Sequence, residues 1–371
     1  MIKKTKIVIL SHQGLGDSLM MVPLIRNCRE ILKENEQMVV MMKSNIEISI
    51  LNYESFNGKI IFMKAERDKK IFKYFTKFFF MALRLRLMKP DILIAPLLVD
   101  RLSNALWIML IGAEISVGPP GKWLKWAFTA CVEWNKDFYE HEVEYFNKCG
   151  TVAGLPLIQN PDVTLPITKE YKEKASLILK QENKTWIALG PGSGAAEAHK
   201  RWPKEHYRSL VQLLVTFSSN INIALFGSSH EKELIDYIIK DIQYDHSRFK
   251  VFIDGDLKLV LALVAQCRCM VASTVGLGHL AAAAATPIVV PCEPTNPCES
   301  GPYSKHAWIV RAGFKCAPCY RQELRFGCGK MDCMSFITPQ QVFEAVCETI
   351  AGVMPPPVPS LKTTNAFGPS I

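Results

Sequence analysis

KIVILSHQGLGDSLMMVPL, residues 6–24, packs three signals into nineteen positions. An apolar run, Ile7 to Leu10, comes first. It is too short for the apolar region of a signal peptide and right for a strand buried on both faces. Gly14-Leu15-Gly16-Asp17 follows, where glycines permit a tight turn, and an amphipathic stretch, Ser18 to Glu34, reads as a helix. WIALGPGSGAAEAHKRWP, residues 186–203, restarts the same strand, glycine turn and helix. Working outward, strands are expected at 38–42, 91–95, 221–226, 250–253, 269–272 and 287–290. Helices are expected at 204–216, 231–241, 257–266 and 276–285. Alternation of this kind is the pattern of parallel β-α-β units, so an α/β chain of two Rossmann-like layers is expected.

The proline-bearing stretch Gly154 to Thr168 has no sustained periodicity and reads as the linker. The expected domains are 1–160, 161–340 and a terminal piece, 341–371, holding a last helix and a disordered Pro-rich tail. Two doubly wound domains facing each other would leave a central cleft at the carboxyl ends of their strands, where such sheets bind ligands.

Composition narrows the class. With 371 residues, 49% apolar and 21% charged, the chain is long enough for two globular cores, which excludes disordered and fibrous proteins. The formal charge of +9 favours phosphate-bearing ligands or an anionic membrane face, without the charge density of a nucleic-acid binder. Twelve cysteines diluted over this length, with no export signal, read as mostly reduced thiols in a cytoplasmic protein. No uncharged run is long enough to span a bilayer: the best candidate, Phe72 to Met88, carries Lys73, Lys77, Arg84 and Arg86. It reads either as a core helix with a solvated face or as a basic amphipathic helix lying in an anionic interface.

Four motifs carry chemistry, each with a plainer alternative, and a proline-rich loop lies between the last two. Asp17 sits at a helix start, as a cap or as a reactive carboxylate. Gly190-Pro191-Gly192-Ser193-Gly194, followed by Lys200 and Arg201, offers loop amides, a hydroxyl and cations to a diphosphate, or is a simple connection. Thr274-Val275-Gly276-Leu277-Gly278-His279 opens another helix, and His279 alone is as well explained by packing. Pro291, Pro294 to Pro297 and Gly301-Pro302 read as irregular loop. Cys316, Cys319, Cys328 and Cys333 have the spacing of a structural tetrathiolate site for zinc or iron, or are free thiols.

Taken in order, 14–23, 190–203, 271–287, 294–302 and the cysteine run resemble glycosyltransferase family nine, the ADP-heptose:lipopolysaccharide heptosyltransferases, with their GT-B fold. The resemblance implies an inverting transfer that needs no metal for catalysis, with Asp17 as general base. It also implies a donor site of Gly16, Gly192, Ser193, Lys200, Glu231, Thr274, Gly276 and His279, with Lys200 on the diphosphate and Glu231 on the ribose. The implied donor is ADP-heptose, and the implied acceptor a lipid-linked inner-core sugar, with peripheral association to the inner membrane and no nucleic acid. Autotransporter heptosyltransferases resemble the same family and carry a cysteine-bound metal, which makes a protein hydroxyl the alternative acceptor. A non-catalytic nucleotide-sugar-binding protein is the other alternative. One departure stands out: Thr274-Val275-Gly276 occupies the place of the family's Asp-Thr/Ser-Gly or Asn-Ser-Gly.

Overall fold

The computed structural model describes residues 4–11, 14–42, 50–51, 60–64, 71–135, 140–179, 184–240, 242, 245–319 and 332–356. The tail from 357 onward lies outside them. The chain divides into two compact units, Met1–Val163 and Thr164–Ile371. The boundary falls within residues 153–168, which carry neither helix nor strand.

In the first unit the order is β1 (Lys4–Leu10), α1 (Leu15–Met20), α2 (Val22–Glu30), β2 (Glu36–Met42), β3 (Ile60–Lys64) and α3 (Ile71–Leu87). It continues with β4 (Ile92–Ile94), α4 (Leu102–Ile111), β5 (Ile115–Gly118), β6 (Ala130–Cys131) and α5 (Glu142–Val152). Among the described residues the strands form one sheet, β3-β2-β1-β4-β5-β6, with every pairing parallel. The single helix expected over Ser18 to Glu34 is two helices that meet at Met21. Pro23 explains the joint: it has no N–H to donate, which costs nothing in the first turn of a new helix and a backbone bond in the middle of an old one.

The second unit runs α6 (Lys169–Leu179), β7 (Thr185–Gly190), α7 (Lys204–Phe217), β8 (Ile221–Gly227), α8 (Lys232–Ile239), β9 (Phe249–Ile253) and α9 (Leu257–Ala265). Then come β10 (Cys269–Ala272), α10 (Gly276–Ala283), β11 (Ile288–Pro291), α11 (Pro297–Ser300), β12 (Ala307–Val310) and α12 (Pro339–Ile350). The sheet order is β12-β11-β10-β7-β8-β9, again parallel throughout. Two expectations are corrected. The stretch read as wholly irregular holds one helical turn, α11, with Pro297 in its first turn and the Asn296 side chain capping the Cys298 N–H at 3.1 Å. The helix expected from Glu231 begins at Lys232, because Glu231 closes a separate 3₁₀ turn, Ser229–Glu231.

Apolar runs fill both sheets as parallel strands require, and the helices cover them. α12 is stopped at its start by a reciprocal cap between Thr338 and Gln341 and closes the core of the second unit with Val342, Ala345 and Val346. Just before it, the carbonyl of Ile337 accepts from Trp202 Nε1 at 2.8 Å, tying the Lys200 to Pro203 motif to the unit's far end. Trp202 is fully buried, so that tryptophan is an anchor, with Lys200 and Arg201 half-buried beside it.

Candidate functional site

Strand register decides what comes together in the second unit. Gly190 pairs with Ala272 across β7 and β10, and these two strands flank the point where the sheet's order reverses. Loops leaving there open the crevice in which doubly wound sheets bind ligands. Leu189 pairs with Leu225, so the chain beyond Gly227 runs beside the glycine loop. Contact is close: a Cβ on Gly192 would lie 1.9 Å from Glu231 Oε1, so any side chain at 192 would displace the glutamate's carboxyl group. The Glu231 carboxylate is held from its own side by the Ser228 N–H at 2.8 Å and the Ser228 hydroxyl at 3.0 Å.

The glycine loop is pinned along its length. Tyr207 on α7 donates to the Gly190 carbonyl at 3.3 Å, and Arg201 donates to the Ser193 carbonyl at 3.0 Å. The Ser193 hydroxyl donates to the Glu197 carbonyl at 3.1 Å, closing the 3₁₀ turn Ala195–Lys200. Lys200, with its side chain 12% exposed, pairs with Glu197 Oε1 at 2.5 Å. An incoming anion therefore competes with a resident carboxylate for this ammonium. Burial and the adjacent Lys200 charge hold the His199 pKa below its usual value, so this imidazole adds no cation at neutral pH.

Across the switch point, Val275 gives α10 no side-chain cap, which leaves the amides from Gly276 onward without that partner. His279 is buried one turn in. Thr274 is buried as well, and its hydroxyl bonds that of Thr295 at 2.8 Å, with Cys292 Sγ 3.1 Å from Thr295 Oγ1. The residue standing where the family carries a carboxylate or amide is thus tied to the loop after β11.

Sequence reading missed the most buried charge among the unit's described residues. Glu293 is 0% exposed, and its carboxylate accepts from the Ala312 N–H and the Phe314 N–H, each at 2.8 Å, beside Arg311 at 3.7 Å. It fixes the segment leading from β12 into the cysteine run. A glutamate directly after an apolar strand was the available signal. Of the four cysteines, Cys316 is exposed, Cys319 and Cys333 are half-buried, and Cys328 lies outside the described residues. Burial, then the Cys319, Glu293 and Cys316 charges, push the Cys333 thiol up to about 11, so the three thiols are electrostatic neighbours. Among the described residues no group of three or more His, Cys, Asp or Glu side chains is placed to hold a metal ion.

In the first unit, Asp17 is the third residue of α1, half-buried. Its Oδ2 accepts from the Gly14 N–H at 3.0 Å, and the Ser18 hydroxyl donates to the Gly14 carbonyl at 3.0 Å. The cap reading is realised, and it also orients the carboxylate. Gly16 lies inside the same helix.

The profile of glycosyltransferase family 9 (heptosyltransferase) matches residues 109–329. A lipooligosaccharide heptosyltransferase 2 of Haemophilus ducreyi is 33% identical over 141 residues, a match covering 37% of this chain and 40% of that protein. The chain thus spans less than half the length of that relative. Two solved structures align over nearly the whole chain. A family 9 glycosyl transferase of Veillonella parvula has a TM-score of 0.76 at 17% identity, covering 94% of this chain and 98% of its own. The E. coli ADP-heptose lps heptosyltransferase II has a TM-score of 0.71 at 20% identity, covering 94% and 99%. At such identities the likeness is one of fold, and it matches the paired six-stranded sheets.

Proposed function

The chain belongs to glycosyltransferase family 9, and from that premise we propose that it transfers a heptose from ADP-heptose to a hydroxyl of a lipopolysaccharide inner-core acceptor, with inversion at the anomeric carbon. The observation that carries this reading is the convergence of Gly192, Lys200, Glu231, Thr274 and Gly276 on the loops around the β7/β10 switch point. Asp17 takes the proton from the acceptor hydroxyl as it attacks, and the cap bond from Gly14 holds its other oxygen in place. The leaving diphosphate is met by Lys200 and the amides of Ser193 and Gly276, donors that stabilise charge as it develops. Glu231 accepts from the ribose hydroxyls. Thr274 is spent on Thr295, so it contributes the shape of the sugar pocket rather than a charge-assisted bond to the sugar.

Titration of the purified protein with ADP-heptose, against GDP- and UDP-sugars, tests the donor. Lys200→Ala is expected to weaken ADP-heptose binding roughly tenfold, the lower end for a charged hydrogen bond because Glu197 must first be displaced. The loss should shrink as salt rises. An unchanged dissociation constant at low salt would put the diphosphate elsewhere.

A protein hydroxyl as acceptor is the second reading, favoured by the sequence spacing of Cys316, Cys319, Cys328 and Cys333. Four thiols at this spacing offer soft ligands suited to zinc or iron, and a bound metal would draw Cys316, Cys319 and Cys333, which are not placed to hold an ion, into one site. Elemental analysis of protein purified without chelator should give one metal per chain, and chelation should lower the thermal midpoint. Metal well below one equivalent, with four freely titrating thiols, would overturn the site.

A further inference from the structure

We propose that one face of the first unit, centred on α4 and the turn after β5, docks on an anionic lipid bilayer. α4 reads LSNALWIMLI, with no charge at any position. Its inner side, with Ala105, Ile108 and Ile111, joins the core, yet Leu102, Leu106 and Met109 remain 49%, 56% and 55% exposed at i, i+4 and i+7, a single stripe. A helix apolar on all sides belongs in a core or against lipid, and here half of it faces outward.

The neighbouring turn adds what a bilayer interface selects. Leu124 and Phe128 pack into the same core as α4 and leave Trp123 and Trp126 outside, Trp126 at 76% exposure. Lys122 Nζ sits 5.0 Å from the Trp123 ring centre and Lys125 Nζ 5.3 Å from that of Trp126. Indole rings beside ammonium groups suit the headgroup level, where the ring is half-immersed and the cation meets lipid phosphate. The turn is fixed by Asp100, whose carboxylate accepts from the amides of Lys122, Trp123 and Leu124 at 2.7, 2.9 and 3.1 Å. α3 lies alongside, with Arg86 donating to the Leu110 carbonyl at 3.0 Å, and contributes exposed Phe80 and Arg84.

Charge selects the occupant. Arg84, Arg101, Lys122 and Lys125 are exposed on these elements against the exposed carboxylate of Glu114, which acts on Lys4, while Asp100 is committed to backbone amides and Asp91 pairs with Lys4 at 2.8 Å. A second copy of the chain would bring cations against cations. A bilayer rich in phosphatidylglycerol would not. Among the described residues no helix is long and apolar enough to cross the membrane, so the contact is a surface one.

Sedimentation of the full chain with vesicles of phosphatidylethanolamine and phosphatidylglycerol, free of lipopolysaccharide, tests this. Binding should weaken as salt rises, K122E/K125E should lower partitioning at least about tenfold, and W126A several-fold. Both variants should keep the wild-type thermal midpoint, since the altered side chains are exposed. Absent wild-type binding, equal binding to phosphatidylcholine alone, or partitioning untouched by either variant would overturn the proposal. So would lipid-free self-association that W126A abolishes, which would assign the face to a second copy. The vesicles contain no sugar acceptor, so failure here leaves the transfer reading standing, and failed transfer leaves this one.

Discussion

Asp17→Asn is expected to cut heptosyl transfer by roughly 10²- to 10⁴-fold, the usual contribution of a positioned general base, while leaving ADP-heptose affinity unchanged. The substitution is close to isosteric. An asparagine oxygen still accepts from the Gly14 N–H that Asp17 Oδ2 now caps, so α1 keeps its start. What disappears is the basic oxygen and a negative charge near a helix N-terminus, worth about 0.3–1 kcal/mol of stability. Initial transfer rates, with the thermal midpoint as control, decide the matter. A rate within about threefold of wild type would leave Asp17 as a cap and nothing more.

Glu293→Ala is expected to cost about 3–5 kcal/mol of stability in the second unit, the range found when one partner of a buried ionic cluster is removed. Without the carboxylate, the Ala312 and Phe314 amides and the Arg311 guanidinium lose a buried acceptor together. Glu293→Gln should recover only part of this, because a carboxamide has one oxygen where two amides need acceptors, and its NH₂ would face an N–H. Urea unfolding of both variants reads the difference. A loss under about 1 kcal/mol for the alanine variant would mean that water or a rearranged loop takes over the role.

Much of the fold was legible in apolar runs. β1, β2, β4, β7, β8, β10 and β11 announce themselves because a parallel strand buried on both faces is apolar through its middle, and β9, a half-buried edge strand, shows by its apolar residues around Lys250. β6, two residues long, gives periodicity nothing to work on, and β12 follows a loop whose prolines masked it. The break at Met21 was marked by Pro23, but an unbroken amphipathic pattern outweighed it. The site was legible where glycine and charge share a loop, as at Gly192 and Lys200. It was illegible where partners lie far apart in sequence: Thr274 with Thr295, and Glu293 with the amides beyond β12, are pairings that only register and chain path create. Lys200 was recognised as a cation, but not that Glu197, three residues earlier, already occupies it.

The contact between Gly192 and Glu231 ties two positions, 39 residues apart in numbering, into one unit of inheritance. Any side chain at 192 would need the space now filled by the glutamate's carboxyl group. Such a change would turn that carboxyl group aside and cost its bonds to the Ser228 N–H and hydroxyl. Drift at 192 is therefore felt first at residue 231, and through it in the turn after β8.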